Sequence, residues 1–150
     1  MTSAQQAINE VLIAHLKGAN PLWEQRVEPL TTASARLAAV VDGQRQNYVV
    51  FFPMENRRMK TNAARRSHEL IMGVKGVSGE MAGAFAMSDA ITALLHNAGD
   101  QDVAAALPYH ATWRVTAVTE GRQIYLEELT TPTGSIFHAG HQYEIVMEAR

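Results

Sequence analysis

Gly76-Val77-Ser78-Gly79-Glu80 places a serine between a strand-like run and a helix-like run, where a hydrolase nucleophile elbow would put one. That elbow requires glycine where Glu80 stands, and its sheet is much larger than 150 residues can build. A serine at such a turn instead accepts hydrogen bonds from the free N–H groups of the helix's first turn, worth about 1 kcal/mol, and Glu80 there complements the helix dipole. Ser78 is therefore expected to be a helix cap. Gly73, Gly76 and Gly79 recur every third residue and match neither a dinucleotide nor a P-loop fingerprint; close packing of a strand against a helix accounts for them. His138 and His141 form an H-x-x-H pair, but the intervening Ala139-Gly140 predicts a turn, and no carboxylate or third histidine stands at a zinc-ligand spacing. Glu127 and Glu128 are adjacent in a strand-like run, which sends them to opposite faces and prevents a carboxylate dyad. The sequence thus implies no catalytic residue, no metal and no cofactor.

One segment concentrates charge. From Met54 to Ser67 the chain carries Arg57, Arg58, Lys60, Arg65 and Arg66 against only Glu55, with little that could pack into a core. It reads as a basic loop with three possible roles: a solvated surface, contact with nucleic acid, or contact with an acidic protein partner. The segment contains no aromatic residue, so a nucleic-acid contact would be made to phosphates without base stacking.

The chain has 150 residues, 47% of them hydrophobic, which predicts one domain with its own core. It has no cysteine, so no disulfide framework or thiolate zinc site is available, as suits a reducing cytoplasm. Apolar runs such as Tyr48–Phe52 are far shorter than the roughly 20 residues of a spanning helix, and Met1–Gln6 does not read as a secretory signal. A net charge of −2 argues against a general nucleic-acid coat.

Periodicity predicts the elements. Ala4, Ala7, Ile8, Val11, Leu12 and Leu16 recur at spacings of three and four, giving an amphipathic helix capped by Ser3 or Thr2 and ended by Gly18 and Asn20-Pro21. Arg26-Val27-Glu28 reads as a short strand, and Ala33–Val41 stays open between helical turn and strand. Tyr48–Phe52, closed by Pro53, is a buried strand. Glu69–Val77 is a strand, followed by a helix from about Gly79 to Ala98 with Met81, Phe85, Ile91, Leu94, Leu95 and Ala98 on its buried side. Thr112–Thr119 and Arg122–Glu128 are expected to form a hairpin around Glu120-Gly121, with Trp113, Val115 and Ala117 sharing a face with Ile124 and Leu126. Gln142–Glu148 closes the chain as a strand. The fold class is α+β: a mostly antiparallel sheet packed by an N-terminal and a central helix.

This order of elements resembles the tail-terminator (tail-completion) proteins of long-tailed bacteriophages. The resemblance is carried by the helix to Leu16, the Tyr48-Val49-Val50-Phe51-Phe52 strand, and the Ser67-His68-Glu69-Leu70-Ile71-Met72 strand leading into an Ala-rich helix. The Trp113-Arg114-Val115 and Gln142-Tyr143-Glu144-Ile145-Val146 strands complete it, and Arg26-Val27-Glu28-Pro29 falls where the family has a short strand before a proline. It implies a non-enzymatic virion protein of the tail's neck region, assembled in the host cytoplasm. Such a protein forms a ring, usually of six copies, on the head-proximal end of the tail tube. Its implied partners are further copies of itself, the tail tube protein, a head-completion or neck protein, and DNA passing through the lumen. Arg57, Arg58, Lys60, Arg65 and Arg66 are the candidate contacts to DNA or partner. Another neck or tail-tube component, and a small enzyme or ligand-binding domain, are the competing classes.

Overall fold

Ser3 starts the first helix. Its hydroxyl accepts from the Gln6 N–H at 3.1 Å and its carbonyl from Ala7 N–H at 2.9 Å, the N-cap arrangement expected from the sequence. The helix, α1, spans Ala4–Ala19, and all six residues of its predicted apolar stripe are buried. The computed structural model describes residues 2–19, 27–29, 40–41, 44–45, 48–59, 67–96, 107–130 and 134–150.

The strands are β1 (Val27–Pro29), β2 (Val40–Val41), β3 (Gln44–Arg45), β4 (Tyr48–Met59), β5 (Ser67–Ser78), β6 (Trp113–Thr130) and β7 (Gly134–Ala149); a second helix, α2 (Met81–Leu95), follows β5. Five strands make one sheet in the order β1-β4-β5-β7-β6, with β1 parallel to β4 and every other pairing antiparallel. β2 and β3 pair separately; the rest of the ambiguous stretch, 33–39, lies outside the described residues. The class is α+β, as expected.

Both helices pack on one face of the sheet. α1 and α2 share a buried cluster with Val49, Phe51, Leu70, Met72, Val74, Trp113, Val115, Val118, Tyr143, Ile145 and Met147, each fully buried large side chain contributing about 1.5–3 kcal/mol. Tyr48, Val50, Val77 and Ile136 cluster on the opposite face, so β5 is covered on both sides.

Three expectations change. The side of α2 that is buried consists of Ala84, Met87, Ser88, Ile91 and Leu95, whereas Met81 is half-exposed and Phe85 and Leu94 are only partly covered. The helix approaches the sheet closely at its first half: Met87 rests on Gly76, where any Cβ would overlap its own. Ala84 and Ser88 are the small residues of the contact, and Met87 fits because position 76 is glycine.

β4 runs through Pro53 to Met59, with a register shift between Pro53 and Glu55. β1 pairs only with Val49–Phe51, so β4 is an edge beyond them among the described residues, and an edge bulge tolerates proline. The expected loop from Met54 therefore begins as strand.

The third change is the hairpin. Residues 113–130 form one continuous strand with no turn at Glu120-Gly121, and its partner is β7, whose start at Gly134 takes in the predicted Ala139-Gly140 turn. Two register shifts, at Val115/Ala117 and Glu120/Gln123, reset the alternation. The first brings Val118 rather than Ala117 into the core. The second leaves Tyr125 on the helix side, with Ile124 and Leu126 on the other.

Candidate functional site

Ser78 ends β5 and is buried; its hydroxyl accepts from the Glu80 N–H at 3.1 Å and lies against Gly83. The N-cap position belongs to Glu80, which makes no side-chain cap bond. Ser78 thus closes the turn leading into α2 instead of capping the helix, because the helix starts two residues later than the pattern suggested. Buried and held by a backbone N–H, this hydroxyl serves the turn.

His138 and His141 fall on opposite faces of β7. His138 is buried on the side away from α2, while His141 pairs through Nε2 with Glu120 Oε1 at 2.9 Å on the helix side. The pair cannot share a ligand, and no cluster of three metal-ligating side chains occurs among the described residues. Glu127 and Glu128 are successive residues of β6, paired with Phe137 and Ile136 respectively.

Sequence reasoning missed a polar cluster beneath α2. Its members are Ser88, Thr92 and His96, spaced by four along the helix, with Glu120, His141 and Tyr143 from the strands. Thr92 Oγ1 lies 3.0 Å from the Tyr143 hydroxyl, 3.4 Å from Glu120 Oε1 and 3.5 Å from His141 Nδ1; Ser88 Oγ is also 3.5 Å from His141 Nδ1. His96 Nδ1 accepts from the Glu120 backbone N–H at 3.2 Å. Burial pushes the Tyr143 phenol up to about 12, with a neighbouring Glu120 charge acting in the same direction and the Thr92 hydrogen bond opposing it. The four-residue polar spacing inside an apolar helix was the available signal.

Ser88, His141 and Glu120 follow the order of a nucleophile, base and orienting acid. Ser88, however, is 2% exposed between helix and sheet, so a substrate cannot reach its hydroxyl. The cluster's chemistry is attachment: it ties the second half of α2 to the β6 bulge and satisfies hydroxyl and imidazole groups that burial would otherwise leave costly.

The basic segment is divided by the fold. Arg57 and Arg58 stand near the end of β4, opposite Glu69 and His68 of β5. Lys60, Arg65 and Arg66 lie outside the described residues. At the same end of the sheet Arg114 pairs with Glu148 at 2.9 Å, beside a cavity of about 200 Å³ lined by these two residues, Ala149 and Arg150. The register runs Arg58–His68–Met147–Val115 across four strands, so this end is opposite the tip of the β6–β7 hairpin.

Exposed apolar side chains gather near that other hairpin. Tyr125 stacks on Phe85 with ring centroids 5.4 Å apart, and its hydroxyl reaches Met81 Sδ at 3.5 Å. Tyr125, Leu126 and Met81 all remain about half-exposed. β6 is the outer strand of the sheet, and its 18 residues, about 60 Å of strand, have no partner on the outer side among the described residues.

No protein-family profile and no curated protein sequence matches the chain. Among solved structures it is similar to a chain from the virion of a native gene transfer agent particle, with a TM-score of 0.54 and 16% sequence identity, over 100% of this chain and 98% of the other. The two share a fold along their whole lengths.

Proposed function

We propose that this protein is a structural component of a phage-like virion, and specifically a tail terminator: a ring, of six copies, on the head-proximal end of the tail tube. There it stops tube polymerisation and offers the surface to which a head-completion or neck protein joins. It acts without catalysis and its single domain is the repeating unit of the ring. The observation that carries this reading is the full-length fold similarity to a chain of a gene transfer agent virion. The long outer edge of β6 and the exposed apolar residues beside it suit a subunit that buries surface against neighbours.

A different neck or tail-tube component rests on the same observation, since a tube subunit and a terminator differ in whether assembly continues. Two measurements separate them. The expected result is a discrete closed oligomer by mass measurement in solution and antibody labelling at the head-proximal end of isolated tails. Open-ended tubes would move the protein to the tube class, and a monomer absent from purified particles would overturn the structural reading altogether.

A further inference from the structure

The outer edge of β6 has no partner strand among the described residues, and Ala117, Thr119, Gly121, Gln123, Tyr125 and Leu126 along it are exposed. The inner ladder sorts these residues into two sets. Val118, Glu120, Gln123 and Tyr125 pair with Ile145, Tyr143, His141 and Ala139, alternate residues of β7, and lie on the helix side of the sheet. Ala117, Thr119, Ile124 and Leu126 pair with Val146, Glu144, Gly140 and His138 and lie on the other side. Within each set the backbone N–H and C=O groups also point the same way, because an antiparallel ladder alternates residue by residue. A second β6 strand laid antiparallel on this edge must therefore match each set with itself. It does so when Gly121 faces Arg122: Glu120 then faces Gln123, Thr119 faces Ile124, Val118 faces Tyr125 and Ala117 faces Leu126, each twice. The surplus residue of the bulge between Glu120 and Gln123 meets the same surplus on the other copy, so the ladder between copies keeps count. No charge in these pairs opposes a like charge.

We infer that two copies of the chain pair edge to edge along β6, antiparallel about a two-fold axis at the Gly121-Arg122 bulge, giving one continuous sheet with all four helices on one face. The occupant of the edge is a second copy because residues 117–126 complement themselves in face, in hydrogen-bond direction and in count. Tyr125 and Leu126, 46% and 44% exposed, become cross-strand neighbours of Val118 and Ala117 of the other copy. The pairing also satisfies edge N–H and C=O groups that would otherwise recruit any extended chain. A two-fold contact is used up by a single neighbour. The inference goes beyond the ring reading: copies that all point one way around a ring have no two-fold axis between them, so the pair is the state of the protein before it joins a tail.

The chain has no cysteine, so introduced thiols report the register directly. The full-length Ala117→Cys/Leu126→Cys chain should oxidise to a covalent dimer and stop there, because both thiols of each copy are consumed by the same neighbour. Neither single variant should cross-link, since like positions of the two copies are separated by the strand length from 117 to 126, roughly 30 Å. Leu126→Lys should weaken dimerisation of the tail-free protein at least tenfold by sedimentation, with a thermal melt to establish that it is folded; should it unfold, the cysteine result decides. A ladder of trimers and larger species from the double variant puts the two positions in a head-to-tail contact and overturns the inference. Cross-linking by either single variant, no cross-linking at all, or a parent that is monomeric in solution overturns it too. Protein found at the head-proximal end of tails despite such a result leaves the ring reading standing, whereas a cross-linked dimer that never reaches tails sinks the ring reading alone.

Discussion

The hydroxyls of Thr92 and Tyr143 meet 3.0 Å apart, joining the second half of α2 to the strand beneath it where Tyr143 is fully buried. Because burial raises the phenol to about 12 from its ordinary 10, the unfolded chain loses this proton before the folded chain does. The contribution is fully present below pH 10 and is lost as pH rises towards 12, at a slope of up to about 1.4 kcal/mol per pH unit. Tyr143→Phe is expected to cost about 1 kcal/mol at neutral pH through the lost hydrogen bond and to remove this alkaline loss. Denaturant titrations of parent and variant at pH 8, 10 and 11.5 measure both effects.

Ser78 and Gly83 should behave as a coupled pair. A Cβ at position 83 would stand 2.6 Å from Ser78 Oγ, so Gly83→Ala is expected to destabilise even though alanine in a helix usually gains about 1 kcal/mol over glycine. In a Ser78→Ala background the same change should become neutral or stabilising. A double-mutant cycle by thermal melts reads the coupling, and strict additivity would show that the hydroxyl does not occupy that space.

Trp113 donates from Nε1 to the Thr2 carbonyl at 2.9 Å, fastening the chain just before α1 to the first residue of β6. Trp113→Phe keeps most of the ring packing and removes the bond. A loss of roughly 1–2 kcal/mol is expected, with faster hydrogen exchange in the first turn of α1 as the local sign.

Replacing Arg57, Arg58, Lys60, Arg65 and Arg66 together by serine should leave the melt nearly unchanged if their charges serve partner contact rather than the fold. On the proposed terminator role, head-to-tail joining should fall instead, and joining by the parent should weaken with salt. Joining assays at two salt concentrations check this; equal joining in all four conditions would mean that the segment is only solvated.

α1 was legible from its start to Leu16, because its stripe from Ala4 to Leu16 meets one partner surface and Ser3 marks its start; the stop expected at Gly18 was not, since Gly18 lies inside the helix, which runs to Ala19, and Asn20-Pro21 lies outside the described residues. β5 was also legible, since Leu70, Met72 and Val74 alternate without interruption. β6 was not: each bulge shifts the phase of alternation by one residue, and a shift beside Glu120-Gly121 looks like a turn. The buried side of α2 was legible at Ile91 and Leu95 but misjudged in its first half, since hydrophobicity points to Phe85 and Met81 while it is Met87 that rests on Gly76 and Ala84 and Ser88 that are buried with it. The candidate residues Arg57 and Arg58 could be found by charge alone. Their placement opposite the β6–β7 hairpin required the register of four strands, which no local pattern encodes.

The bulge between Glu120 and Gln123 gives the β6–β7 hairpin an aim that is separable from its surface. On β6 three steps separate Glu120 from Gln123, against two steps from Tyr143 to His141 on β7, so removing Gly121 would restore a regular ladder without changing which side Tyr125 or Leu126 faces. What changes is local twist, and with it the direction in which the far third of the strand points. A chain lacking Gly121 would thus carry the same side chains on the same faces of a straighter arm. Insertions and deletions at this one site offer a way to redirect the end of the hairpin while the core stays as it is.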